Sequence, residues 1–294
     1  MRYIILTILS ALCFLTSCSV EGGNDLFDVP HTGYTLFEAD FEAIDMDGQK
    51  SDFVWNKDFA IGVFGQETGI NEKYSLKKAF DGNAAGEFYG PVVSGNPIMA
   101  YYPYSDQVSL YDGNLPYDLS PVQKYTSDQT TIGQFFAYAG YAYAFTENDN
   151  RLNFRYASGL LSVEIDFVET VTVTEIELVS KSACISGTGK VQTDMSVLFG
   201  ASGAMTIRLD LNEGIASMID NKKTQYPIVM SAGLYENITL ILKTKEKGDI
   251  ACELDPFEIA RISAGNYQVT ELVVSTGALG GFEIEGGLEF EPQR

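Results

Sequence analysis

Few residues in this sequence are of a type and spacing that could do covalent chemistry. There is one His, His31, so any Ser-His-Asp triad would have to use it. A hydrolase elbow needs Gly-x-Ser-x-Gly on a sharp strand-to-helix turn. The nearest run, Gly200-Ala201-Ser202-Gly203-Ala204, ends in Ala and lies between strand-like segments. A phosphate loop needs a leading Gly and a hydroxyl after its Lys. Gly187-Thr188-Gly189-Lys190 has neither and reads as a turn between strands. Asp45-Met46-Asp47-Gly48 puts Gly directly after its second Asp, with no closing Glu, so it reads as a hairpin turn and not a calcium loop. With 40 Asp and Glu residues, a glycosidase pair would have to announce itself by spacing, and none does. The expectation is a protein that is not an enzyme, with no metal site and no cofactor.

The cysteines carry a different chemistry. Residues 1–18 read MRYIILTILSALCFLTSC. A basic Arg2 precedes an apolar run too short to span a bilayer comfortably, which is the pattern of a signal peptide. It ends in Leu15-Thr16-Ser17-Cys18, which looks like a bacterial lipobox. Cys18 is then the lipidation site, with acyl chains as the anchor. Residues 1–17 form the signal peptide, and 18–30 the lipidated Cys and a polar tether. Cys184 and Cys252 remain as a candidate disulfide in an oxidising compartment, or as two thiols that never meet.

These residues need a scaffold, and the pattern points to strands. Leu161, Val163, Ile165 and Phe167 alternate with polar residues, as do Met205, Ile207, Leu209 and Leu211; Ile238, Leu240 and Leu242 share one face. Such alternation marks half-buried strands. Within Val171–Val179 the apolar parity switches near Glu175, which predicts a bulge or a strand that twists between sheets. Turns are marked at Asp81-Gly82-Asn83 and Asp112-Gly113-Asn114, and helix signals are weak. The expected class is all-β, built from antiparallel β-sandwiches of about 100 residues each. Two fit: residues 31–155 and 156–276, with 277–294 as a C-terminal tail. The chain has 294 residues and 19 basic against 40 acidic side chains, a net charge of −21. So acidic a chain repels phosphate backbones, which excludes nucleic acid as a general partner.

Two further segments suggest binding. The first domain is rich in Tyr, with Tyr101, Tyr102 and Tyr104 closely spaced. Such rings can stack on glycans, or can simply fill a sandwich core and its edges. In the tail, Phe282, Ile284, Leu288 and Phe290 share one parity and Glu283, Glu285, Glu289 and Glu291 the other, with Gly286-Gly287 between. This is a strand, or two half-strands hinged at the Gly pair. It can add to the sheet of a neighbouring subunit as a donor strand, or pack at the edge of its own domain.

Four motifs, in order along the chain, resemble the Bacteroidales fimbrillin family. They are Val54-Trp55-Asn56-Lys57-Asp58-Phe59-Ala60-Ile61-Gly62-Val63-Phe64, Ala100-Tyr101-Tyr102-Pro103-Tyr104-Ser105, Phe154 to Val163, and Ile262 to Tyr267. Tyr156 stands where the family usually has His. The resemblance implies two tandem transthyretin-like sandwiches and an outer-membrane, cell-surface lipoprotein that serves as a fimbrial subunit or related adhesin. It implies as partners other fimbrial subunits or copies of itself, membrane lipid through Cys18, and a host or bacterial surface ligand. It also implies that proteolysis removes the first strand, about Tyr34 to Ile44, and that a neighbour's tail replaces it. Well-known members are cut at Arg, but here the first Arg after Arg2 is Arg151. Within Asp45–Asp52 the basic residue is Lys50, so either a different protease acts there, with Lys50 as the candidate processing point, or this chain is not processed that way. The alternative function is a non-polymerising surface lipoprotein that binds glycans through the Tyr-rich region.

Overall fold

The computed structural model describes residues 33–41, 44–46, 49–51, 53–125, 131–147, 149–167, 171–216, 225–262, 270–276 and 282–286. Cys18, the signal segment, the tether, Leu288 and Phe290 lie outside these residues. The architecture is nearly all strand. The first half holds β1 (Tyr34–Phe41), β2 (Ile44–Met46), β3 (Gln49–Ser51), β4 (Ala60–Gly65), β5 (Glu72–Leu76), β6 (Ala85–Pro91), β7 (Ile98–Tyr102), β8 (Leu115–Leu119), β9 (Val122–Lys124), the helix α1 (Thr131–Tyr138), β10 (Ala142–Thr146) and β11 (Arg151–Tyr156). The second half holds β12 (Ser158–Phe167), β13 (Thr172–Ser180), β14 (Ser186–Val191), β15 (Val197–Ala204), β16 (Thr206–Ala216), β17 (Gln225–Ser231), β18 (Gly233–Tyr235), β19 (Ile238–Thr244), β20 (Gly248–Glu253), β21 (Phe257–Ile259), β22 (Thr270–Thr276) and β23 (Phe282–Gly286).

The first sheet closes into a barrel in the order β1-β11-β10-β7-β4-β5-β6. The expectation was an antiparallel β-sandwich. The difference lies in β1, which pairs antiparallel with β6 and parallel with β11. Parallel neighbours need a long crossover, and the many residues between β1 and β11 supply it. Inside the barrel, Phe37, Trp55, Ile61, Tyr74, Phe88, Leu152 and Phe154 form one apolar cluster.

The second half forms a sheet β17-β12-β22-β23 facing a sheet β20-β19-β13-β16-β9. Strand alternation delivers Leu161, Val163, Ile165, Ile176, Leu178, Ile207, Leu209, Leu240 and Leu242 to its core. The bulge expected near Glu175 is present, as a register shift between Val173 and Glu175 against both β16 and β19. The polar-parity face of β12 was expected to meet water. Instead Ser158, Ser162 and Glu164 are all buried. The first half covers that face at Ser158, whose hydroxyl bonds Tyr117 Oη at 2.9 Å and donates to the Ala139 carbonyl at 3.2 Å.

Segment 115–124 also serves the second half. β8 pairs with β14, and β9 runs parallel to β16. The second core accordingly includes Leu115, Tyr117 and Leu119, and reaches Phe64, Met99, Tyr101 and Tyr143 on the barrel strands. The run Gly187-Thr188-Gly189-Lys190, expected as a turn, lies within β14, with a register irregularity between the two glycines. Their missing side chains allow this: a Cβ on Gly189 would sit 2.6 Å from the Leu198 carbonyl oxygen. The strands that flank Asp47-Gly48, β2 and β3, pair antiparallel with Met46 opposite Gln49, the pairing a hairpin requires, while Asp47 and Gly48 themselves lie outside the described residues.

Candidate functional site

The residues around β1 form a constrained constellation. Phe37 and Ala39 point inward, at 2% and 1% exposure, while Glu38 points to solvent. Trp55 follows the β2–β3 hairpin and is wholly buried. Its Nε1–H donates to the Ala39 carbonyl at 3.2 Å. Around the indole stand Phe53 at 4.7 Å, Phe88 at 4.8 Å and Tyr102 at 5.3 Å between ring centroids, all edge-on. Such T-shaped contacts add specificity to burial. Phe41 stacks on Phe53 at 4.2 Å, so both ends of the β1–hairpin segment lead into this aromatic cluster. On the outer face, Asp40 Oδ2 accepts from Arg151 Nε at 3.0 Å and Nη2 at 2.6 Å. Asp40 is the main cause that holds the Arg151 guanidinium above its usual range.

The three tyrosines do not make one platform. Tyr101 and Tyr102 are neighbours on β7, so they face opposite sides. Tyr101 is fully buried and its hydroxyl donates to the Ser105 carbonyl at 2.7 Å. It needs Gly62 beside it, because a Cβ there would lie 1.9 Å from Tyr101 Cε1. Tyr102 belongs to the Trp55 cluster, and Tyr104 packs half-buried with Lys73 Nζ 5.5 Å from its ring centre. Tyr101 thus offers no ring face to a sugar. Burial raises the Tyr101 hydroxyl and pushes those of Tyr74 and Tyr102 up to about 12, so these groups stay protonated at neutral pH.

The other sequence candidates fall as follows. Cys184 and Cys252 are both free thiols, so the candidate disulfide is not formed. Cys184 lies in the loop before β14 and contacts the Gly203 region, while Cys252 sits on β20 opposite Leu240. Burial, then Glu253 and Asp255, push the Cys252 thiol upward, away from a reactive thiolate. Ser202 lies within strand β15, not on an elbow. Among the described residues, no group of three His, Cys, Asp or Glu side chains could hold a metal. Lys50 lies in β3, paired through Asp45. The tail segment Phe282–Gly286, with Phe282 and Ile284, pairs antiparallel with β22 in the same chain. Of the two placements open to the tail, this half occupies the one in its own sheet.

Arg151 and Trp55 were not singled out as site residues from sequence. A usable signal existed for Arg151, as it is the first Arg after Arg2. For Trp55, the lone Trp of the chain inside a motif was the available cue.

No protein-family model matches the sequence, and no curated protein matches it either. Among solved structures, the fold resembles a candidate cell adhesion protein from Bacteroides ovatus. The TM-score is 0.52 at 13% identity, over 87% of this chain and 96% of that one. A second candidate cell adhesion protein, from Bacteroides uniformis, aligns at TM-score 0.45 and 16% identity, over 89% and 99% of the two chains. The tip fimbrial protein Mfa3 from Porphyromonas gingivalis, C-terminally truncated, aligns at 0.41 and 11%, over 87% and 98%. The likeness rests on the first of these and is one of fold.

Proposed function

We propose that this chain is a cell-surface fimbrial subunit that assembles by strand exchange, in a structural and adhesive role. One observation carries the reading: β1 alone joins β6 to β11 and so closes the barrel. Without β1, the remaining order β11-β10-β7-β4-β5-β6 is an open sheet with an apolar groove where Phe37 and Ala39 sat. An extended strand from a neighbour is suited to such a groove, as backbone bonds give affinity and alternate side chains fill the pockets. The reading includes two tandem transthyretin-like units, lipidation at Cys18 in the outer membrane, and a cut at Lys50. Lys50 stands between β1 and Trp55, so a cut there frees β1 but leaves Trp55 in the subunit. The donor is the tail, with Phe282, Ile284, Leu288 and Phe290 facing in. The fold of the Bacteroides ovatus neighbour supports the reading, as do the four sequence motifs.

The test is deletion of residues 281–294 in a Bacteroidales host. Detergent-resistant ladders should disappear while the lipidated monomer persists. Ladders that survive the deletion would sink the donor role.

A further inference from the structure

The first strand and the last described strand carry one pattern. β1 contains Phe37-Glu38-Ala39-Asp40, and β23 contains Phe282-Glu283-Ile284-Glu285. Both run aromatic, acid, aliphatic, acid, in the same chain direction. In β1 the first and third positions point into the barrel, and the two acids lie on the outer face. Those acids meet one cation. Asp40 takes both bonds from Arg151, and Glu38 is the residue directly across from Arg151 in the parallel pair.

Resting on the strand-exchange reading above, we propose that Arg151 is the acceptor's recognition residue for the tail of a second copy and sets its register. Phe282 takes the place of Phe37, and Ile284 that of Ala39. Glu283 and Glu285 face Arg151 as Glu38 and Asp40 do. The strand runs parallel to β11, as β1 does. Ile284 is larger than Ala39, and Gly286 compensates by falling where the Phe41 ring stands on the same inward face.

Charge makes the case for Arg151. The full chain carries −21 and stays acidic after a cut at Lys50, so two copies and an acidic tail repel one another. A cation at the groove rim reverses that at one point. The Arg151 side chain is 62% exposed, so its ion pair adds little to stability. Exposed charges of this kind act on encounter, register and choice of partner. A strand slipped by two residues keeps its inward parity, so side-chain burial alone does not fix the register. The pairing with Arg151 does.

The experiment uses the full chain in a Bacteroidales host, with Cys184→Ala and Cys252→Ala as background and two differently tagged copies. One copy keeps Arg151 and carries Asn153→Cys, exposed on the same face of β11; the other carries Glu283→Cys, Glu285→Cys or Leu288→Cys. Asp40 lies across from Asn153, so oxidation should link Asn153→Cys to Glu285→Cys between copies, and not to the other two. A link to Glu283→Cys or Leu288→Cys instead would overturn the register while leaving strand exchange intact. Ladders with no link to position 153 at all would overturn the placement of the tail beside β11. Failure of strand exchange itself is read separately, by ladders that persist without residues 281–294. Charge reversal completes the test. Arg151→Glu should reduce ladders, and Glu283→Lys with Glu285→Lys on the donor should restore them. Ladders unaffected by Arg151→Glu would overturn the proposal.

Discussion

The side chain of Gln123 bonds both backbone groups of Val229. Nε2 donates to the Val229 carbonyl at 2.7 Å, and Oε1 accepts from the Val229 N–H at 2.9 Å. Gln123 is fully buried on β9, a first-half strand, while Val229 lies on β17. The amide therefore stands in for a neighbouring strand at that point of β17 and ties the two facing sheets together.

Gln123→Met keeps the side-chain volume but leaves the Val229 N–H and carbonyl buried without these partners. Each orphaned group costs about 1–3 kcal/mol, so the expected loss is about 3 kcal/mol. Chemical denaturation of the two chains measures it. A change well under 1 kcal/mol would mean that water reaches Val229.

Trp55 tests the hold on β1. Trp55→Phe removes the bond to the Ala39 carbonyl and leaves a void among Phe53, Phe88 and Tyr102. A cost of about 2–4 kcal/mol is expected from the lost bond and the cavity. Hydrogen exchange should show the loss concentrated in β1, with the Ala39 region opening first. Uniform loss of protection over the whole chain would contradict a local clasp.

Alkaline pH should unfold the protein through its buried tyrosines. Burial pushes Tyr74, Tyr102 and Tyr235 up to about 12, from an ordinary value of 10. Between those values the unfolded chain releases phenolic protons that the folded chain retains, so unfolding is favoured as pH rises. The stabilisation is complete below pH 10 and is lost as pH climbs toward about 12. Tyrosinate absorbance and circular dichroism followed together should change in one cooperative step in that window. Tyrosines that titrate near 10 with the fold intact would show them to be open to water.

Much of the scaffold is legible in the residues themselves. Period-two alternation places β12, β16 and β19, because a strand with one apolar face can bury only that face. The parity switch at Glu175 marks its bulge for the same reason. Asp112-Gly113 marks a tight turn, and both residues adopt positive φ, at 49° and 71°. The helix α1 was missed. Its sequence, TIGQFFAY, is short and aromatic, and it buries Gln134 and Phe135 through tertiary contact rather than helix propensity.

The site was harder to read. The alternation of the tail and of β1 is visible in the sequence, because a strand displays its two faces by parity. That the same acids of β1 converge on Arg151 is not visible, since more than 100 residues separate Asp40 from Arg151. The Tyr-rich run shows the same limit. Composition offers both a glycan platform and a core, and only packing buries Tyr101 against Gly62. By itself the sequence determined the strand-rich class, the turns and the polarity of each strand face, which are local consequences of residue order. The tertiary structure decided which strands meet. It closed the barrel through β1, sent β8 and β9 to the sheets of the second half, and left both thiols free. Strand pairing joins residues far apart in the chain, and backbone hydrogen bonds carry no side-chain label that would name the partner.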